Sequence, residues 1–246
     1  MNVDYDQIAK AYDHHRRAGG PYMETLCGLL KRCPGRRVLE LGAGTGNSTE
    51  ALLEAVPCTL TALELSPGML EQAKRKRIPA RWVRGSATAL PFANQAFHFV
   101  YATYMLHFIH DLDLLMHECW RVLEEGCAAF TTAPTSFIEN HPLNRYFPSF
   151  AQTDLARFQS IERVKEAFCS AGFTQICHEQ KHKAPDPIDA AYVRKVEGKF
   201  LSTFNLLPSG EFERGLKELR ADVESGKCRG MHVIWETVTI WGYKHA

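Results

Sequence analysis

From Pro21 to Gly172 the chain alternates short apolar runs with stretches whose apolar side chains recur every three or four residues. "PYMETLCGLLK" (21–31) reads as a helix, with Pro21 at a favoured first position and Tyr22, Leu26 and Leu29 on one face. "RRVLEL" (36–41) reads as a first strand, and "NSTEALLEAV" (47–56) as a helix burying Leu52, Leu53 and Val56. "TLTALEL" (59–65) is a second strand, followed by "SPGMLEQAKRK" (66–76), a helix with Ser66 as N-cap and Pro67 in its first turn. "ARWVRGSA" (80–87) and "FHFVYATY" (97–104) are further strands, and "DLDLLMHECWRVLEEG" (111–126) is a helix stopped by Gly126, with "CAAFTTA" (127–133) as strand five. Such alternation predicts a parallel sheet covered by helices.

Beyond Pro134 the pattern loosens. "PTSFIENHPLNRYFPSFAQTD" (134–154) has prolines and aromatics but no period, so it reads as a long loop over a site. Regularity returns with a helix in "SIERVKEAFCSAG" (160–172), strand six in "FTQICHEQ" (173–180) and a final strand in "MHVIWETVTIWGYK" (231–244). Residues 185–228 between those strands read as a helical cap insertion, too short for a domain of its own. The expected organisation is one domain: a lid over 1–20, a core over 21–184 and 229–246, and the cap.

Composition narrows the classes of function. The 246 residues are 45% hydrophobic, enough for a full core, and 29 basic side chains balance 28 acidic ones to a net +1, which gives no sign of general nucleic-acid binding. "KRKR" (74–77) is the one basic run, and it suits the solvated end of a helix. No apolar run reaches the roughly 18 residues of a membrane span, and the N-terminal stretch lacks the apolar core of a secretory signal. The eight cysteines make no CxxC pair and no metal-ligand cluster, which suits free thiols in the cytoplasm. Oligomeric state is not legible.

The chemistry concentrates in "RRVLELGAGTGNS" (36–48), where Glu40 sits in an apolar strand two residues before three alternating glycines. A P-loop would need Gly-Lys-Ser/Thr, and no lysine is present. A dinucleotide loop wants G-x-G-x-x-G/A, whereas here Gly46 comes one residue early and Asn47 holds the third position. Glu64, eighteen residues after Gly46 at the end of strand two, is placed to accept two ribose hydroxyls, a role common to several nucleotide cofactors.

"ELGAGTG" resembles motif I of the class I S-adenosylmethionine (SAM) dependent methyltransferases. "VLELGAGTG", "LELSPGML", "GSATALPFANQAFHFVYATYMLHF" and "RVLEEGC" follow in the order and spacing of the type 11 methyltransferases, which include ubiquinone and menaquinone biosynthesis enzymes. The resemblance implies an α/β, Rossmann-like three-layer sandwich with a seven-stranded mostly parallel sheet, an antiparallel last strand and a helical cap. It implies SAM as cofactor and methyl transfer to a small-molecule acceptor. By the same resemblance Glu40 faces the amino group of the cofactor's methionine part, Gly42, Ala43, Gly44 and Gly46 line the cofactor, and Glu64 holds its ribose. Leu65 and Met69 pack on adenine, although Met69 suits plain helical core equally well. Ser86 and Ala87 stand where the family shows "GDA", so a hydroxyl replaces the acid that accepts from the adenine amino group. Thr103 faces the methionine part. His98, in place of a usual Asp, and Cys127, in place of a glycine, also depart from the pattern.

For catalysis the candidates are His107, whose intrinsic pKa suits a general base, and Tyr12 in the N-terminal lid. His107 also suits a plain polar helix start, and Tyr5, Ile8 and Tyr12 fit one helix face equally well. Tyr5, Arg16, His141, Arg145, Tyr146 and Tyr192 are candidate substrate contacts. "HEQKH" (178–182) matches the zinc motif H-E-x-x-H, but it begins in an expected strand, where positions four apart lie roughly 13 Å from each other. No metal is expected. Strand four ends "ATYML" without the N/D-P-P-Y/F that holds a flipped base, so a DNA target is not expected. The competing readings are a non-catalytic SAM-binding or regulatory protein of the same fold and an NAD-linked oxidoreductase.

Overall fold

The computed structural model describes residues 5–9, 13 and 19–245. In chain order the elements are α1 (Tyr5–Ile8), α2 (Pro21–Arg32), β1 (Arg37–Leu41), α3 (Asn47–Ala55), β2 (Thr59–Glu64), α4 (Pro67–Arg75), β3 (Arg81–Arg84), β4 (Phe97–Thr103), α5 (Leu112–Val122) and β5 (Leu123–Thr132). They continue with α6 (Thr135–Glu139), α7 (Phe150–Leu155), α8 (Ile161–Ser170), β6 (Thr174–His182), β7 (Asp186–Pro187), α9 (Ala190–Glu197), α10 (Glu211–Glu224), β8 (His232–Val233) and β9 (Glu236–Lys244).

Seven strands form one sheet in the order β3-β2-β1-β4-β5-β9-β6. The pairs from β3 through β5 are parallel, while β9 runs antiparallel to both β5 and β6. The expected fold class is thus the observed one. The two-residue alternation of a strand divides the apolar side chains between the faces. Leu39, Leu41, Val100, Ala102, Ala128 and Phe130 pack with α5 and α8 on one side, and Val38, Phe99, Tyr101, Cys127 and Ala129 pack with α2 and α3 on the other. Cys127, a departure from the family pattern, is simply core. His98 accepts from the backbone N–H of Arg37 at 3.4 Å, a role at the sheet's N-terminal edge.

Three expectations need correction. Gly126 does not stop a helix: α5 ends at Val122, and β5 begins at the next residue. The carbonyls of Arg121 and Val122 are taken by the N–H groups of Gln95 and Ala96 at the mouth of β4, so strand pairing overrides the helix-forming "LEE". Gly126 instead lies where a Cβ would stand 1.8 Å from the carbonyl oxygen of His98. The last strand is broken, with β8 pairing with β7 before β9 enters the sheet.

The stretch after Pro134 is helical rather than a long loop. α6, a 3-10 turn at Pro142–Arg145 and α7 fold there, because their aromatics have an apolar partner the local pattern does not reveal. Leu143, Tyr146, Phe147 and Phe150 bury themselves against Ile188, Tyr192, Val196, Phe204 and Leu219 from the segment that carries α9 and α10. This third apolar cluster lies apart from the two on the sheet, so the roof over the sheet draws on two stretches of chain. Among the described residues no helix is long and apolar enough to cross a membrane. His178 and His182 lie on β6, extended as expected.

Candidate functional site

In open α/β sheets ligands bind beyond the carboxyl ends of the strands, where the strand order reverses. Here that point lies between β1 and β4, and a cavity of about 770 Å³ opens there. Its floor is Gly42, Ala43, Gly44, Thr45, Asn47 and Ser48 after β1, with Thr103, Tyr104 and His107 after β4. Its roof is formed by Phe137, His141, Arg157, Phe200 and Trp235, and Tyr5 and Tyr22 close one side.

The glycine loop has the conformation its residues allow. Gly42, Gly44 and Gly46 have φ of 66°, 57° and 85°, a left-handed region that side chains rarely adopt. A Cβ on Gly42 would stand 2.6 Å from Met105, and one on Gly46 would stand 2.8 Å from Ile78 and Trp82, so those two glycines serve close packing. Nothing lies within 4 Å of the corresponding point on Gly44, whose open side leaves room for a ligand.

Glu40 is wholly buried and does not line the cavity. Strand alternation sends it to the α3 side, where the hydroxyls of Ser48 and Thr49 donate to its two oxygens. Burial pushes its pKa up to about 7, against the hydroxyl bonds from Ser48 and Thr49, which lower it. Between Glu40, for which direct contact with the cofactor was expected, and the cavity stands Ser48. Ser48, held by Glu40, lines the cavity and also accepts from Thr103 Oγ1 at 3.3 Å.

At the end of β2 the Glu64 carboxylate spans two backbone donors, Gly44 N–H on Oε2 and Ser66 N–H on Oε1, both at 2.8 Å. Leu65 beside it is 64% exposed, a bare apolar platform. Met69 is 1% exposed, which makes it core and removes it from the expected adenine contact. Ser86 is bound within its own turn, its Oγ 2.9 Å from Thr88 Oγ1, and Ala87 packs against the sheet core.

Of the expected substrate contacts, Tyr5 and His141 line the cavity. Three others do not. Tyr146 and Tyr192 are buried in the cap's apolar cluster, Tyr146 donating to Asp222, and Arg145 pairs with the same Asp222 at 3.3 Å. Tyr12 and Arg16 lie outside the described residues. His107 sits in a 3-10 turn at Leu106–Phe108, its ring stacked on Phe158 with centroids 4.4 Å apart and planes 7° from parallel.

Several site residues carried no signal in the local pattern. Asp6 accepts from Ser66 Oγ and Gly68 N–H at the start of α4, and Asp13 accepts from Thr45 Oγ1, Asn47 Nδ2 and Lys76 Nζ, so two carboxylates tie the N-terminal segment to the glycine loop and α4. Arg157, Phe158, Lys183 and Trp235 reach the cavity from three places in the chain. Ser48 and Thr49 did leave a trace, as paired hydroxyls in the first turn after the glycines.

Comparison with known proteins agrees with the geometry. A family model described as a methyltransferase domain matches residues 38–126. A malonyl-[acyl-carrier protein] O-methyltransferase of Legionella pneumophila is 35% identical over 142 residues, covering 55% of this chain and 48% of the relative. A demethylmenaquinone methyltransferase of Renibacterium salmoninarum is 39% identical over 93 residues, covering 38% of this chain and 39% of the relative. The chain thus spans half or less of the length of these relatives. Among solved structures, a methyltransferase from an antibiotic biosynthesis pathway of Anabaena variabilis superposes with a TM-score of 0.74 at 22% identity, over 90% of this chain and 96% of that one. Fold, matched domain and named relatives converge: residues 38–126 match a methyltransferase domain, on a fold shared with solved methyltransferases.

Proposed function

We propose that the protein transfers the methyl group of SAM to a small-molecule acceptor enclosed between the sheet and the cap. The observation that carries this reading is one continuous cavity that runs from the glycine loop to the aromatic residues of its roof. The residues present fit the cofactor. Gly44 leaves its side of the loop open, Glu64 presents a carboxylate at a strand end, and Leu65 offers an exposed apolar face. When bound, SAM supplies a methyl group on a positively charged sulfur, open to displacement by a nucleophile in line with the leaving thioether.

The chain's own residues do the rest. Each oxygen of Glu64 already accepts one backbone N–H and keeps a lone pair for a ribose hydroxyl, so the loop and the ribose are held by one group. Ser48 donates to Glu40 and turns its remaining lone pair toward the cavity, so the buried carboxylate polarises an acceptor for the cofactor's ammonium without touching it. The cap excludes water, which protects the aligned nucleophile and methyl group. His107, stacked on Phe158 at the cavity wall, takes the acceptor's proton where the acceptor carries one.

Incubation with methyl-labelled SAM and a metabolite extract tests the proposal, and label is expected in a small molecule. SAM binding without any labelled product would replace this reading with a binding protein of the same fold. Loss of SAM binding in favour of a nicotinamide dinucleotide would replace it with an oxidoreductase. In His107→Asn turnover is expected to fall by roughly 100-fold at unchanged SAM affinity.

A further inference from the structure

The cap end of the cavity is built from rings. Phe137, His141 and Trp235 lie mutually edge-on or tilted, with centroids 5.0 to 5.6 Å apart, and Phe158 extends this wall to His107. Such a lining suits a flat, polarisable ligand better than an alkyl chain, because aromatic faces and edges gain most from another ring.

Two buried hydrogen-bond donors in the same lining have no partner. His141 is 4% exposed, and its Nδ1 accepts from Leu143 N–H at 3.1 Å, which puts the ring proton on Nε2. That Nε2 is buried and unpaired. Burial pushes the pKa of His141 down to about 4, so at neutral pH the ring is uncharged and Nε2 is a donor. Arg157 spends Nε and Nη2 on Asp154, Ser202 and Thr203, while its Nη1 is buried without a partner. α7 links the two. Phe150 rests against His141, and Asp154, one turn later on the same helix, holds Arg157. Lys183, at the rim of the same cavity, has no side-chain hydrogen bond or ion pair among the described residues. Buried donors without acceptors are costly, so their natural complement is a ligand rich in acceptor oxygens.

We propose that the methyl acceptor is a planar aromatic acid, its ring lodged among Phe137, Phe158 and Trp235 and its carboxylate bridging Arg157 Nη1 and His141 Nε2. Lys183 adds positive charge at the entrance. The proposal rests on the methyl-transfer reading and names its substrate class. A charge-assisted bond from Arg157 discriminates a carboxylate from the matching amide, whereas the ring stacking does not.

Binding of 2-hydroxybenzoate and 4-hydroxycinnamate tests this, measured by quenching of tryptophan fluorescence and by calorimetry in the presence of saturating S-adenosylhomocysteine. The comparators are the matching amides and the saturated ring acid cyclohexanecarboxylate. At least one aromatic acid is expected to bind about tenfold or more tighter than its amide and than the saturated acid. His141→Phe, which keeps the ring box, is expected to weaken the acid severalfold and leave the amide unchanged. Arg157→Met is expected to erase the preference for the acid. It is paired with Asp154→Asn in the same chain so that no buried carboxylate is stranded, and melting is followed to check folding. Equal binding of acids and amides, or an acid preference that survives His141→Phe and the double variant, would overturn the proposal. Failure of S-adenosylhomocysteine to bind would instead overturn the methyl-transfer reading.

Discussion

The floor and the roof of the cavity are made by opposite means. The floor presents backbone and short hydroxyls: Gly44 and Ser48 follow the end of β1 and Thr103 ends β4, at positions the sheet sets. The roof presents large rings and long cations, held by an apolar cluster of its own. A nucleoside with fixed hydrogen-bonding groups suits the first, and an acceptor that differs between related enzymes suits the second. The lesson is one of division: the sheet holds what the fold class shares, and the cap holds what an individual enzyme selects.

The comparison breaks most sharply at Phe147, which is fully buried and packs on Phe150, Phe204 and Phe212 inside the cap. Phe147→Ala is expected to cost about 3–5 kcal/mol in denaturant unfolding. Binding of S-adenosylhomocysteine is expected to stay within about threefold, because the sheet cores are separate. A parallel collapse of cofactor binding would show floor and roof to be one unit.

Next in size is the pH dependence set by Glu40. Its pKa is raised from 4.5 to about 7 in the folded protein, so the native state binds this proton more tightly than the unfolded chain does. Its contribution to stability is therefore full below about pH 4.5, falls as the pH rises to about 7 and is flat above. The fall is on the order of 3 kcal/mol. In Glu40→Gln that decline should vanish from urea midpoints taken at pH 5 and pH 7.5. A decline of equal size in the variant would assign it elsewhere.

Glu64→Ala sharpens the account of the floor. It removes the acceptor for Gly44 and Ser66 N–H along with the proposed ribose contact, and a weakening of SAM binding by about 100-fold is expected by calorimetry. Undiminished binding would exclude Glu64 from the site.

The smallest expected effect belongs to the N-terminal segment. Asp13 is partly exposed and pairs with Lys76 at 2.7 Å. Asp13→Asn is expected to speed release of S-adenosylhomocysteine by only about two- to fivefold, with wild type and variant converging at high salt. A larger change would make this segment a principal part of the site.

Much of the floor was legible because its signals are local. Alternation and glycine spacing located β1 through β4 and the loop after β1, and Gly44 and Thr103 lie at the cavity as their motif positions implied. Met69 was ambiguous for a physical reason: helical spacing is the same whether the inner face meets core or ligand, and here it meets core. The roof was nearly illegible. Tyr146 and Tyr192 resembled site residues because aromatics in an aperiodic stretch fit either a pocket or a core, and only the meeting of residues 143–150 with 188–219 decides which.

The sequence by itself determined the class of fold, the glycine-rich strand-to-helix turn and the acid at the end of the second strand. Each follows from contacts within a few residues or from the two- and 3.6-residue periods of the backbone. Only the tertiary structure decided that Glu40 is buried behind Ser48, that two distant segments share one apolar cluster, and that His141 and Arg157, each with a buried donor left unpaired, line one cavity. Burial, and with it the protonation and hydrogen bonding of these groups, depends on what the rest of the chain brings alongside, and no local pattern carries that information.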